Sequence, residues 1–464
     1  MIISPQLKIQ HLFWRAGFGL SPKEFSIYHD WSIDKTVDHL MKASVNPEPF
    51  GQVKPAFQTR EELRRLSEEE KKQLQKMNRN TLGKLSVSWL ERMGDPNRPA
   101  LIEKMTLFWH DHFASDSKLP HFSVKQQNTI RKHALGNFRD LVLAIAKDPM
   151  MIQYLNNQQN KKQRPNENFA RELMELFTIG IGNYTENDIK EAARAFTGWT
   201  TNLRGEFVFR SNWHDYGLKT FMGKSGRFDG DQIIDIILER KETAQYIAGK
   251  IYRFFVNEKI DVSRVNDLAD RFYRSNYDIG QLMAYIFKSD WFYSSENIGS
   301  KIKSPAELIG GMIRTLGLEF EDFRSLLFTQ RALGQVLLKP PNVAGWPGGK
   351  AWIDNATLMV RLNLAGWLFD STEVNFKLKE APEMRSYNLK NRKIKATIDI
   401  EPIINAFSGY PENVLFAKLS GYLLQSGLVA DASKLERFVS DESKEKFIAS
   451  LVLRLMSLPE YQMC

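Results

Sequence analysis

Residues Asp148 to Trp199 read DPMMIQYLNNQQNKKQRPNENFARELMELFTIGIGNYTENDIKEAARAFTGW, and this stretch decides the fold class. From Asn166 onward, Phe169, Leu173, Leu176 and Phe177 recur at helical spacing and fall on one arc at 100° per residue. Asn166 is placed to N-cap that helix, which is expected to run to about Thr178, with Gly180 and Gly182 available to end it. Thr185 followed three residues later by Asp188 resembles a capping box and starts a second helix carrying Glu191 and Arg194. The Asn, Gln, Arg and Glu packed onto these helices need either partners or a chemical use.

The same periodicity extends outward, as in Ile233, Ile234, Ile237 and Leu238, then Tyr246, Ile247, Ile251 and Phe254. The expectation is a mainly α, multi-helical globular protein with a small β-hairpin and long ordered loops. Glu206 to Arg210 and Lys219 to Met222 are the best strand candidates. Residues 1–375 are read as one helical core domain with a cleft lined by polar motifs. Within it, Asn46 to Gln58 reads as a linker, with three prolines and a glycine, and Glu61 to Asn80 as a solvated helix or arm. Residues 376–401 form a polar connection, and residues 402–464 supply closing helices packed on the core.

A chain of 464 residues can bury a large core, and 42% hydrophobic with 26% charged residues is the balance of a soluble globular protein. The formal charge of +9 is dispersed. The densest basic segment, Lys377 to Lys395, is loop-like, so nucleic acid is not the expected partner. The one cysteine, Cys464, excludes an intrachain disulfide and a thiolate metal cluster. The opening MIISPQLKIQHLFW lacks the features of a signal peptide, and no run approaches the roughly 18 apolar residues that span a bilayer. A cytoplasmic protein without a transmembrane segment is expected.

Four polar segments carry the candidate chemistry. In the first, Glu172 lies at the edge of the apolar arc, with Arg171 and Glu175 further round. Glu167–Arg171 and Arg171–Glu175 are i,i+4 pairs that would each stabilise the helix by roughly 0.2–0.5 kcal/mol as plain salt bridges. Alternatively, Glu172 and Glu175 project into a cleft as catalytic acid and base, with Arg171 orienting them. In the second, FWHDHF, His110 and His112 flank Asp111 and invite a divalent metal. Residues two apart on a helix point about 200° from each other, so one ion can take both only where the helix ends.

In the third segment, NWHDYGLKTFMG, His214 and Asp215 form a loop pair suited to acid–base work, with Lys219 placed for an anionic group. Gly223-Lys224-Ser225 lacks the spacing of a phosphate loop. The fourth, PPNVAGWPGGKAW, is a stiff loop holding Trp346 and Trp352. Asn166, Asn168, Lys219, Trp199 and Trp346 are the candidate substrate-binding residues, the aromatic faces being suited to sugar rings. The other reading of the tryptophans is that they wedge loops onto helices.

The motifs HLFWRAGFG, FWHDHF, DPMMIQYLNN, PNENFARELMELFTIGIGNYTENDIKEAARAFTGW, HDYGLKTFMG, GRFDGDQIIDIIL and PPNVAGWPGGKAW, collinear from His11 to Leu362, resemble the large bacterial family catalogued as domain of unknown function 1800. The resemblance implies an all-helical architecture and supplies no mechanism. It also implies a partner, since genes of that family often lie beside those of a sulfatase-like family, domain of unknown function 1501, and hence an association with the cell envelope. Two functions follow as expectations. One is a hydrolase acting on a polar small molecule or glycan, carbohydrate-derived or sulfated, through Glu172, Glu175, Arg171, His214 and Asp215. The other is a non-catalytic binding or assembly partner of the sulfatase-like protein.

Overall fold

The computed structural model describes residues 3–57, 59–370, 394–427, 435, 439–440 and 442–464. Helices dominate, and the strands among the described residues form three two-stranded antiparallel ribbons. β1 (Trp199–Thr201) pairs with β2 (Phe207–Phe209), β3 (Lys219–Phe221) with β4 (Lys224–Gly226), and β5 (Glu319–Phe320) with β6 (Ala396–Thr397). The two strand candidates thus do not pair with each other, because each finds a nearer partner. Met222 and Gly223 both take positive φ, 47° and 81°, and close β3 onto β4 in a two-residue turn.

Helix Ala100–His112 lies at the centre and is buried along all but one of its residues. Helices Glu68–Gly94 and Pro120–His133 pack against it. The first of these carries the charge run: its N-terminal half is largely solvated, while Gly83, Ser86, Val87, Trp89, Leu90, Met93 and Gly94 are buried. Gly94 lets helix Pro305–Leu316 cross closely, since a Cβ there would collide with Ile313. Helices Lys241–Phe255 and Val262–Arg274 form the most extensively packed pair.

The C-terminal helices Glu401–Phe407, Glu412–Leu423 and Lys444–Met456 are tied to the N-terminal region. Tyr422 OH donates to Leu20 O at 2.8 Å, and Gln425 Nε2 to Gln10 O at 3.2 Å. Cys464 and Lys301 exchange backbone hydrogen bonds of 2.8 and 3.0 Å. One continuous apolar core runs from Ile9 to Tyr461. The polar connection, with the basic segment Lys377 to Lys395 inside it, lies outside the described residues as far as residue 393, and its end is paired in β6. No helix among the described residues is long and apolar enough to cross a membrane.

Candidate functional site

Helix Ala100–His112 ends in three consecutive polar residues that fan out to three different segments. His110 Nε2 accepts the Leu338 backbone N–H at 3.2 Å, which assigns the ring proton to Nδ1. Burial drives this imidazole down to about 3, so it is neutral. His112 Nε2 donates to Phe177 O at 2.9 Å, and burial with nearby Lys250 holds it well below the usual range. Between them, Asp111 Oδ1 accepts the Trp346 backbone N–H at 2.7 Å. The loop can come this close because Gly345 has φ 79° and no side chain, where a Cβ would collide with Asp111 Oδ1. The two histidine rings therefore serve separate partners. No set of three His, Cys, Asp or Glu suited to an ion occurs among the described residues.

The 166–178 helix winds in an unexpected way. Residues Asn168–Glu172 are α-helical and Leu173–Thr178 form a π-helix, a winding frequent at functional sites. A helix end leaves carbonyls without intrahelical donors, and here side chains from elsewhere supply them. Tyr246 OH donates to Leu176 O at 3.1 Å, Lys250 Nζ to the same oxygen at 3.4 Å, and His112 to Phe177 O. A cation at this end also meets the negative pole of the helix.

Asp111 and Lys250 are the perturbed pair of this corner. Asp111 is partly buried, and burial raises its carboxyl to about 6, opposed by the Trp346 N–H and by Lys250 and Lys301. Burial lowers Lys250, with Asp111 pulling it back up. Sequence reading placed Asp111 inside a metal motif and missed Lys250 altogether. The signal for Lys250 was weak: a lysine on the helix bearing Tyr246, one turn further along. Asp148 is a second perturbed carboxyl that was missed, raised to about 7 by burial. Its Oδ1 caps helix Pro149–Tyr154, and its Oδ2 is buried without a hydrogen-bond partner.

The expected catalytic residues are instead tied to helix Glu186–Ala195, which opens with the expected Thr185–Asp188 capping box. Near its start, Arg171 binds Glu186 through two bonds of 2.9 Å and lies 3.4 Å from Glu167 and 3.6 Å from Glu175. Burial and the neighbouring Glu175 raise Glu172. Near the other end, Arg194 binds Asp215 at 2.7 Å and Glu191 at 2.9 Å, and this bonding to Arg194 holds Asp215 below the usual carboxylate range. Eight residues separate Glu186 from Arg194, about 12 Å along the axis, so the Glu172 set and the His214 set stand at opposite ends of this helix.

His214 is buried, its Nδ1 2.8 Å from Thr197 O, and Lys219 Nζ donates to Asp215 O at 2.6 Å and Gly217 O at 3.2 Å. These bonds close the loop on itself. The helix starts at Asn168 with Glu167 at its N-cap position and no side-chain cap, so Asn166 is not the cap expected of it: its Oδ1 accepts the Asn168 N–H at 3.0 Å just ahead of the helix, and the Asn168 side chain is exposed. Trp199 is 4% exposed and packed edge-on against Phe196 and Phe207, and Trp346 is 7% exposed beside His110. Neither ring presents an open face.

A family model described as a protein of unknown function, DUF1800, matches residues 11–463, nearly the whole chain. No curated protein and no solved structure matches.

Proposed function

The chain belongs to the DUF1800 family, and from that premise we propose that it is an enzyme whose chemistry centres on Asp111 and Lys250, a hydrolase for a polar, carbohydrate-derived or sulfated substrate. The observation that supports this is the state of Asp111. One oxygen is fixed by the Trp346 N–H, no other donor among the described residues bonds the carboxylate, and burial sets its pKa at about 6. A carboxylate so poised takes a proton from an attacking water near neutral pH. Lys250, held by the carbonyl end of the π-helix, meets the negative charge that develops on the substrate. Glu172, half-buried and raised, lies on the segment that leads into this π-helix and would serve as acid.

The test is a panel of chromogenic sulfate, phosphate and glycoside esters, assayed from pH 4 to 9 with wild type, Asp111→Asn and Lys250→Met. The expected result is turnover of one class with an acidic limb near pH 6, lost in Asp111→Asn while the fold is retained. Turnover that survives in folded Asp111→Asn would sink the assignment, as would a wild type inert to the whole panel.

The ion networks on helix Glu186–Ala195 support a second reading, a binding or assembly protein that docks a sulfatase-like partner. Arg171 and Arg194 are each held by more than one carboxylate, as structural ties are. Under this reading Asp111→Asn leaves function in the cell intact, and Arg194→Gln acts only through lost stability.

A further inference from the structure

Five cationic side chains meet where the last residues of the chain return to the core. Arg15, Lys104, Lys303 and Arg361 are buried, and the Lys301 side chain is 13% exposed. Glu307 bonds Lys104 and Lys301, the latter at 2.8 Å. Arg15 Nη2 donates to Asn297 O at 2.7 Å, Cys464 O at 2.9 Å and Ser300 Oγ at 3.1 Å. Lys303 Nζ donates to Tyr461 O at 2.6 Å and sits 3.6 and 3.9 Å from the ring centroids of Trp14 and Tyr461. Burial lowers Lys303 to about 7, against the attraction of Cys464 and Glu307. Positive charge is crowded here at a depth where charges are ordinarily matched.

Arg361 is the informative member. Its Nη1 donates to Lys303 O at 3.0 Å and lies 3.4 Å from Gln462 Oε1, while its Nε and Nη2 are buried and meet no acceptor among the described residues. Those two nitrogens share one edge of the guanidinium, the parallel N–H fork that fits two oxygens of a carboxylate, phosphate or sulfate. One further buried group beside it is open: the Gln462 Nε2 amide, a donor. Buried donors almost always have acceptors, so open donors beside buried cations call for an anionic acceptor.

We propose that the Arg361 fork, with Gln462 Nε2 beside it and Lys303 behind it, binds a small tetrahedral oxyanion, phosphate or sulfate, that fastens the C-terminal segment to the core. The Arg361 fork, Gln462 and Lys303 take no part in the Asp111 corner, which Lys301 reaches only by charge, so the binding test stands or falls independently of the proposed chemistry.

The test titrates the full chain with inorganic phosphate and, separately, inorganic sulfate at ionic strength fixed with sodium chloride, read by calorimetry and Tm. Ion chromatography of the denatured protein first measures any anion carried through purification. The expected result is one saturable site, or one equivalent of anion already bound, with binding lost in Arg361→Lys, which keeps the charge and removes the fork. Gln462→Leu should weaken it about tenfold, and that variant carries the test if Arg361→Lys does not fold. General stabilisation by sulfate does not saturate and is common to all variants. No retained anion with no saturable binding, or binding equal in folded variants and wild type, would overturn the proposal. Which of the two ions binds more tightly names the source.

Discussion

Glu103 and Asp111 stand about two turns apart on the same buried helix, and their surroundings give them opposite characters. Arg131 and Arg92 bind Glu103 at 2.8 and 2.6 Å, and Trp89 Nε1 donates to it at 3.0 Å. Burial pushes Glu103 up, but the two arginines together pull it below the usual carboxylate range. Asp111 has one backbone N–H and two lysines acting at a distance, and it rises to about 6. With helix and charge type held constant, the number of donors in contact decides whether a carboxylate braces the fold or stays available for proton transfer.

The largest effect should come from stripping the braced one. Arg131→Met leaves Glu103 with an unmatched share of buried charge, and breaking such a pair costs about 3–5 kcal/mol. Urea unfolding measures it, and a loss under 1 kcal/mol would mean that Arg92 and Trp89 alone satisfy Glu103, dissolving the contrast.

Asp111→Asn should act in the opposite direction. The folded-state pKa, about 6, lies above the ordinary value near 3.9, so the folded form binds the proton more tightly. Stability is therefore lost as pH rises from about 4 to about 6, by roughly 2–3 kcal/mol. Asparagine keeps an acceptor for the Trp346 N–H and removes the charge. The variant should be more stable than wild type at pH 8, the gap closing toward pH 4, while activity is lost. Parallel Tm profiles for the two proteins across pH 4–8 would show that Asp111 is not perturbed.

Much of this architecture is legible in the residues themselves. The apolar arc of Phe169, Leu173 and Phe177 is buried as its spacing requires, and the Thr185–Asp188 box is formed by both its hydrogen bonds. What the sequence hides is contact made by backbone or by distant chain. The N–H that holds Asp111 belongs to the main chain of Trp346, 235 residues away, and carries no side-chain signature. Lys250 gives no signal because its acceptor, Leu176 O, is freed where the helix ends, on a segment distant in the chain. The β3–β4 turn escaped notice for a local reason: Met222-Gly223 performs a turn usually signalled by Asn-Gly.

A smaller effect separates the Asp111 corner from the His214 loop. Arg194 is 27% exposed and bonded to Asp215 and Glu191, so Arg194→Gln should cost about 1–2 kcal/mol by loosening the loop from its helix. The pH dependence of stability between 4 and 6 should be unchanged, because it belongs to the raised carboxyls Asp111, Asp148 and Glu172, none of which Arg194 influences. A shift of its midpoint in the variant would show that the two groups communicate.

The smallest expected effect is at the exposed Arg171 cluster. Arg171 is 33% exposed and faces Glu167, Glu175 and Glu186, and the Glu186 side chain is 68% exposed. Water and salt screen such a cluster, so Arg171→Gln should leave Tm almost unmoved at physiological ionic strength and lower it measurably only in dilute buffer. Its effect on Glu172 is a sharper probe. Arg171 is the attraction that offsets burial and Glu175 in setting that carboxyl, so the variant should raise the Glu172 pKa further, as read by carbon-detected NMR titration. If Glu172 titrates unchanged, Arg171 is only a surface tie and the acid role passes to another group. If it moves upward and the alkaline limb of turnover moves with it, the half-buried glutamate is the acid that works with Asp111.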